Sequence, residues 1–561
     1  MHCDYSSHFH QEQTVERLLG NFSETLRGLI QQNAAKGEAY PLVPIQEGLL
    51  FHWLENPSSD SYCVQYAWRM DGETDWVLLK RAWACLVEEH AILRTRFSWV
   101  DASKPRQTTQ PPVALPWHYR DMSELDADEQ KHALAQFLED DLQQGFDLSQ
   151  APLMRFALIK LSSDAYYFLW THHHILMDGW SLSLLLQQLK RYHALLLQGQ
   201  TPRVIESRRF FEYAEWLRWR DLSAAEAFWR GFLKGFDAPA DFKVETPVQQ
   251  PSLIRHVIKE TVLPFEVSQR LRRFAASHHV TLNTLVQGAW ALLLHRYCQT
   301  DDIVYGVTHS GRSADFDGIE EIVGPVINTL PLRIPIPDNP AVGVFLERLQ
   351  QAMFDVMHYS FTPLTKVHQW SDLSPYEGLF NAIIVFENYP ASWRSFKEYF
   401  HITEMQSKDP THYPLTLVVE PDAAIRLQIS YLPTKIPQTI AGRLLSHYRN
   451  LLLNIMQDVH QPVFSVSMLS PEEYQQLMVA WNQTARPYPR EKSIPACFDE
   501  QVAKTPEGTA VFYEGECLTY RVLQGRADRL AREIRGDVEP NALVGSWSPH
   551  SPANIHFKFT S

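Results

Sequence analysis

Two apolar runs separated by a short polar turn indicate neighbouring strands in the first third of the chain. Residues 153–161 and 166–170 are rich in aliphatic and aromatic side chains, and Ser162, Ser163 and Asp164 separate them. After a loop, apolar residues recur at helical spacing until Gly199, a residue type that commonly ends helices. This face consists of Leu182, Leu185, Leu186, Leu189 and Tyr192. The pattern predicts strand, turn, strand, loop and helix, in that order.

The same alternation extends over most of the chain. Residues 76–89 place Trp76, Leu79, Trp83 and Leu86 on one helical face, and similar helices alternate with strand-like runs. Residues 267–277 predict another helix, and Thr281 is a candidate cap for the helix that follows. Periodicity alone therefore predicts a mixed α/β protein.

The loop between the second strand and its helix concentrates reactive side chains. Residues 171–181 read THHHILMDGWS, which combines imidazoles that titrate near neutral pH with one carboxylate. Gly179 permits close backbone approach or a positive φ, and N–H groups from Gly179 to Ser181 can stabilise developing negative charge at the helix start. The loop therefore predicts an active site.

Two other interpretations apply to adjacent histidines. Side chains on an extended segment point alternately to opposite faces, so at most two of the three histidines can converge on one ion. We therefore predict no metal. A buried, hydrogen-bonded structural role remains open for a histidine pair taken alone. The second pair, His278 and His279, lacks a following Asp-Gly, and we interpret it as structural.

The loop does not stand alone, because the chain resembles the condensation domains of nonribosomal peptide synthetases. That family's signature is two histidines, three variable residues and Asp-Gly, here residues 173–179. Further family motifs follow in order over roughly residues 40–470. They are residues 40–52 (YPLVPIQEGLLFH), 90–97 (HAILRTRF), 305–312 (YGVTHSGR), 322–333 (IVGPVINTLPLR) and 381–390 (NAIIVFENYP). The resemblance implies an α/β fold of two chloramphenicol-acetyltransferase-like lobes in a V-shaped pseudo-dimer.

The resemblance also assigns roles within the loop. His174 is the candidate for proton transfer or for positioning an attacking amine, and His173 is expected to be structural. Asp178 is expected to pair with an arginine, with Arg94 as first choice and Arg312 as second. Gly179 is grouped with the two histidines and Asp178 as part of the catalytic signature. The remaining candidates, for substrate binding or support of the site, are Trp180, Ser181 and Asn328.

The resemblance further divides the chain. We expect a leader helix and linker at residues 1–38, similar to the end of a preceding synthetase domain. The amino-terminal lobe is expected at 39–225 and the carboxy-terminal lobe at 226–466. A linker at 467–489 then leads to a partial adenylation-domain fragment at 490–561, whose opening strands and helix resemble that domain.

Composition excludes several other classes. The net charge of −14 without a basic run argues against a nucleic-acid surface. Six scattered cysteines fit reduced thiols. The polar start and the lack of a membrane-length apolar run predict a cytoplasmic chain with no membrane partner.

The implied reaction is peptide-bond formation, in which a carrier-bound L-aminoacyl amine attacks an upstream carrier-bound thioester. The amino-acid sequences of two motifs resemble those of family members whose donor ends in a D-residue. Expected partners are upstream donor and downstream acceptor peptidyl carrier proteins and a neighbouring adenylation domain. No cofactor is expected on this chain, since 4′-phosphopantetheine belongs to the carriers. The alternatives are an epimerization domain, a noncatalytic carrier-docking module or an inactive remnant.

Overall fold

The computed structural model describes residues 38–56, 62–72, 74–99, 105–242, 256–312, 315–374, 377–387, 392–513 and 515–534. The expected leader helix falls outside these residues, as do Asn388, Tyr389 and Pro390 of the last motif. Contacts divide the chain into two units, residues 1–470 and 471–561. Within the described ranges, no helix is long and apolar enough to cross a bilayer.

The first unit contains strands β1 to β14 and helices α1 to α12. The strands are β1 (Ala39–Pro41), β2 (Cys63–Asp71), β3 (Thr95–Ser98), β4 (Arg106–Thr109), β5 (Trp117–Asp121), β6 (Met154–Lys160), β7 (Ala165–His173), β8 (Val257–Val262), β9 (Asp302–His309), β10 (Asn328–Pro335), β11 (Ala382–Phe386), β12 (Ile402–Lys408), β13 (Leu415–Glu420) and β14 (Arg426–Tyr431). The helices are α1 (Pro44–Glu55), α2 (Trp76–Glu89), α3 (Ala127–Gln144), α4 (Gly179–Leu197), α5 (Arg209–Arg218), α6 (Ser223–Phe232), α7 (Phe265–Ser277), α8 (Leu282–Cys298), α9 (Val342–His358), α10 (Leu364–Gln369), α11 (Ser392–Tyr399) and α12 (Gln438–Ile455). Short 3₁₀ turns occupy Ala91–Arg94, His174–Leu176, Ile319–Glu321 and Val463–Ser465.

A five-stranded sheet, ordered β12-β2-β7-β6-β5, organises the first half of this unit. β2, β7 and β6 pair antiparallel, and β5 runs parallel to β6. Trp83 of α2 packs against Trp170 of β7 with ring centroids 4.6 Å apart, and both rings are fully buried. The sheet thereby holds β7 rigidly up to the point where the histidine loop begins.

A six-stranded sheet, ordered β10-β9-β11-β13-β14-β8, organises the second half. β9, β11 and β13 are parallel neighbours, and the other pairs are antiparallel. Helix α8 is capped by the Thr281 hydroxyl and is buried along most of its length, with α9 and α12 packed against it. A separate three-stranded sheet, β1-β4-β3, lies near the start of the unit.

Strand β12 joins the two halves, because it comes from the second half of the chain but pairs antiparallel with β2 of the first sheet. The chain then returns directly to the second sheet at β13. Residues 319–326 also contribute Ile319, Ile322, Val323 and Val326 to the first half's core. This segment of the second half thus packs into the core of the first half.

The second unit contains α13 (Pro471–Tyr474), α14 (Ile494–Lys504), β15 (Thr509–Tyr513), β16 (Glu516–Thr519) and α15 (Tyr520–Ile534). A π turn at Gln475–Val479 and a 3₁₀ turn at Ala480–Asn482 follow α13. β15 and β16 form a two-stranded antiparallel sheet.

The structure confirms the α/β class and the elements predicted from periodicity. β6, β7, α2 and α4 form where the apolar patterns place them, and Gly199 follows α4 with φ +72°. β7 extends three residues beyond the predicted strand and takes in His172 and His173. The V-shaped arrangement and the domain boundaries stay predictions.

Candidate active site

The histidine loop is held by backbone hydrogen bonds to elements on either side. His174 N donates to the Tyr62 carbonyl at 2.8 Å, and Met177 N donates to the His174 carbonyl at 3.3 Å. The buried Gln46 side chain donates to the Ile175 carbonyl at 3.1 Å. The chain therefore leaves β7 in a fixed 3₁₀ turn that begins at His174.

His172 and His173 are buried parts of this framework. His173 Nδ1 accepts a hydrogen bond from Ile175 N at 3.1 Å, which requires the unprotonated nitrogen. Burial, and to a smaller extent the neighbouring His174, lowers the pKa of His173 to about 3. Burial also lowers the pKa of His172, whose ring packs 4.9 Å from that of Trp170. Both imidazoles are therefore neutral near pH 7.

His174 is the member of the trio that lines a large cavity. The cavity has a volume of about 2240 Å³, and elements from both halves of the first unit form its walls. The His174 side chain is 16% exposed, and its Nε2 lies 3.9 Å from Oδ2 of Asp409. Its Nδ1 is buried and has no hydrogen-bond partner among the described residues. His174 thus presents an imidazole to a space large enough for a substrate.

Asp178 fixes the far end of the loop to the second half of the unit. Its carboxylate accepts from Arg312 Nη1 at 2.8 Å and Nη2 at 3.1 Å, from Val326 N at 2.9 Å and from Ile327 N at 3.2 Å. It also caps α4 through Ser181 N at 2.9 Å. Burial raises the pKa of Asp178, but Arg312 and the bonds from Ser181 outweigh burial and keep that pKa below its usual range.

The first choice of arginine was wrong. Arg94 is buried elsewhere, where it donates to Glu206 at 2.7 Å and to the carbonyls of Val87 and Gln110 at 2.7 and 2.9 Å. Arg94 therefore fastens the turn after α2, and Arg312 is the partner of Asp178.

The suggested roles of the helix start also need correction. Ser181 N donates to Asp178, so this N–H is not free to stabilise an oxyanion. Gly179 is the first residue of α4 and has helical backbone, not a positive φ. It does line the same cavity as His174.

Trp180 and Ser181 connect the loop with the second half, and Asn328 makes its contacts within that half. Trp180 Nε1 donates to the Glu320 carbonyl at 2.9 Å, and Ser181 Oγ donates to Asp178 at 2.7 Å and lies 2.9 Å from the Gly324 carbonyl. Asn328 lines the cavity, but its amide is occupied by the carbonyls of Ser360 and Thr362 at 2.9 and 2.7 Å. All three side chains therefore support the walls of the site.

Three carboxylates in the cavity wall escaped the reasoning from sequence. Asp409 follows β12, Glu387 follows β11 and Glu420 ends β13. Burial, with the negative charges of Glu420 and Asp409, raises the pKa of Glu387 to about 8. Glu387 stands directly after the apolar strand AIIVF. A carboxylate at the end of such a strand was the sequence feature that could have identified it as a site residue.

The arrangement gives no support to a metal centre. Across the described ranges, no group of three or more His, Cys, Asp and Glu side chains is arranged to hold a metal ion. Within ion-pair distance of the His174 imidazole, the cavity offers the Asp409 carboxylate.

Comparison with known proteins places this geometry in a family. A model described as "Condensation domain" matches residues 36–478. The chain belongs to the condensation-domain family. It is 38% identical over 520 residues to a linear gramicidin synthase of Brevibacillus parabrevis, with 92% of the chain aligned. It is 30% identical over 557 residues to bacitracin synthase 3 of Bacillus licheniformis, with 97% aligned.

The chain spans only about a tenth of those relatives, 10% and 9% of their lengths. Solved condensation-domain structures share the fold. The first condensation domain of the calcium-dependent antibiotic synthetase, bound to a substrate analogue, superposes with a TM-score of 0.62 at 18% identity. That match covers 77% of this chain and 100% of the solved one. A four-domain nonribosomal peptide synthetase bound to AMP and glycine gives a TM-score of 0.68 at 17% identity, covering 90% of this chain and 39% of its own.

Proposed function

We propose that this condensation domain is an acyltransferase that forms peptide bonds between two carrier-bound substrates in nonribosomal peptide synthesis. The observation that carries the proposal is the placement of His174 on a cavity of about 2240 Å³, in a loop fixed by the buried Asp178–Arg312 pair. The donor is a peptidyl or aminoacyl thioester on an upstream carrier, and the acceptor is an L-aminoacyl thioester on a downstream carrier.

The chemistry requires alignment and the removal of protons. The acceptor nitrogen attacks the donor carbonyl, so a C–N bond forms and the donor C–S bond breaks. The nitrogen loses a proton as the new bond forms, and a neutral imidazole suits that transfer. General-base action by His174 contributes about 10²- to 10⁴-fold, and alignment of two tethered substrates supplies much of the remainder. The proton then passes to the departing thiolate.

Each substrate reaches the cavity on the 4′-phosphopantetheine arm of its carrier protein. The cavity is lined from both halves of the unit, through His174, Asn328 and residues 409–414. Two long arms can meet only if the reacting atoms converge within such a space. The proposed partners are therefore an upstream donor carrier, a downstream acceptor carrier and an adenylation domain.

We further propose that the donor ends in a D-residue and that residues 490–561 are the beginning of an adenylation domain. The first proposal rests on the amino-acid sequences of residues 44–52 and 174–181, which resemble those of family members with a D-terminated donor. The second rests on residues 510–523, where β15, β16 and the start of α15 follow the order expected for that domain's opening.

The test uses the whole chain with two loaded carriers. One carrier bears a D-terminated or an L-terminated peptidyl thioester, and the other bears an L-aminoacyl thioester. Intact-protein mass spectrometry follows the donor mass. Transfer to the acceptor carrier, abolished in His174→Ala, is the expected result. Transfer from the L-terminated donor alone would overturn the subtype, and inversion at the donor's α-carbon without transfer would indicate epimerization. No change in either carrier would favour a docking module or remnant.

A further inference from the structure

The carboxylates in the cavity wall have no role in the reaction as described. Glu387 N donates to the Val419 carbonyl at 2.9 Å, and the parallel register pairs Phe386 with Val419. Glu387 and Glu420 are thus adjacent where β11 and β13 end. Asp409 approaches from the segment after β12 and reaches His174 at 3.9 Å. Three negative groups and the proposed catalytic imidazole therefore line one cavity.

The three carboxylates differ in how they are neutralised. Glu420 has a cation close by, because its Oε2 lies 3.4 Å from Arg426 Nε. Asp409 has only His174 within ion-pair distance among the described residues. Among the described residues, no side chain donates a hydrogen bond to Glu387 or forms an ion pair with it, and its side chain is part-buried in the cavity wall. A partly desolvated carboxylate without a partner favours a ligand that supplies a positive charge or a hydrogen-bond donor.

We infer that Glu387, supported by Asp409, holds the acceptor's amine beside His174 and shares one proton with it. The inference rests on the proposed function, because it concerns how the acceptor of that reaction is recognised. The ligand class is a primary amine at the end of an aminoacyl thioester.

The proton balance of this pair is simple. An α-ammonium gives one proton to the Glu387 carboxylate, so an N–H bond breaks, an O–H bond forms and a neutral amine results. If the amine arrives neutral and Glu387 is already protonated, the same pair of neutral amine and carboxylic acid forms without a proton transfer. The pKa of Glu387, raised to about 8 by burial, matches the ~8 of an α-amino group, so neither form is strongly preferred. His174 then takes the second proton as the C–N bond forms, and the proton on Glu387 returns to solvent.

The surroundings favour a small cation over the alternatives. The described residues offer no cluster suited to a metal ion. Asp409 keeps 46% of its side-chain surface open, yet burial within the cavity raises its pKa and His174 partly offsets that rise. Arg426 and Lys397 act on Glu420, whereas no lysine or arginine forms an ion pair with Glu387 or Asp409 among the described residues.

The test separates amine recognition from general damage by changing the nucleophile. One acceptor carrier bears an aminoacyl thioester, whose nitrogen is charged near pH 7. The other bears an aminooxyacetyl thioester, whose much less basic nitrogen is already neutral. Single-turnover transfer from one donor is measured for wild type, Glu387→Gln, Asp409→Asn and the control Glu212→Gln, which changes an exposed glutamate of α5 outside the cavity lining.

Glu387→Gln is expected to slow transfer to the aminoacyl acceptor by about tenfold or more and to change transfer to the aminooxy acceptor by less than about threefold. Asp409→Asn is expected to show a smaller loss with the same selectivity, and Glu212→Gln to match wild type with both. Equal losses with both acceptors, or no loss with the aminoacyl acceptor, would overturn the inference. If Glu387→Gln fails to fold, the same criteria apply to Asp409→Asn. Wild type that transfers to neither acceptor would overturn the proposed function itself.

Discussion

Removal of the Asp178 carboxylate tests whether the histidine loop depends on the second half of the unit. Asp178 and Arg312 have 0% and 2% of their side-chain surfaces exposed. Asp178→Ala leaves the guanidinium buried without its counter-charge, and the amides of Val326 and Ile327 lose their acceptor. Breaking one member of a buried ion pair costs about 3–5 kcal/mol. At 1.4 kcal/mol per factor of ten, the local opening equilibrium rises by about two to three and a half orders of magnitude.

Hydrogen exchange followed by mass spectrometry measures that opening in peptides covering residues 175–182 and 319–327. Asp338→Ala is the control, because Asp338 and Arg348 form a pair that is about half exposed, 52% and 54%, where a surface bridge contributes about 0–1 kcal/mol. The double variant Asp178→Ala with Arg312→Met leaves no unpaired charge and should recover part of the protection. Exchange in Asp178→Ala within tenfold of wild type would refute the account of the loop.

Three further perturbations have defined outcomes. Gly311→Ala should lower the thermal midpoint more than Gly145→Ala, because both glycines have positive φ (+70° and +58°) but only at Gly311 would a Cβ overlap the Val326 carbonyl oxygen; equal shifts would contradict this. Asn328→Ala leaves two carbonyls without their donor and should cost about 1–3 kcal/mol in urea unfolding, and an unchanged midpoint would contradict that role. The pKa of His173 is about 3 in the folded protein against ~6.5 in the unfolded chain, so its contribution to the free energy of unfolding is complete above pH 6.5. That contribution falls by about 1.4 kcal/mol per pH unit as the pH drops towards 3. His173→Asn should flatten that decline in thermal midpoints, and an identical decline would show that His173 is not its source.

Local pattern was sufficient for much of the fold around the loop. Side-chain periodicity of two and of 3.6 residues predicted β6, β7 and α4, and Gly199 predicted where α4 ends. These features depend on neighbours in sequence, so the sequence displays them directly.

Local sequence patterns do not predict contacts between residues that are far apart along the chain. Arg312 lies 134 residues from Asp178, and no spacing rule distinguishes it from Arg94. The crossing of β12 into the first sheet brings Asp409 to His174, and nothing in the apolar pattern of residues 402–408 specifies β2 as its partner. Glu387 was part of a recognised motif, but its burial became clear only from the packing of β11 beside β13.

The most direct test of the central claim is the single-turnover rate of amide formation with both carriers loaded and saturating, for wild type and His174→Ala. The account predicts a loss of about 10²- to 10⁴-fold in the variant, with both proteins folded and binding both carriers. A variant rate close to that of wild type would contradict the assignment of His174 as the residue that carries the reaction.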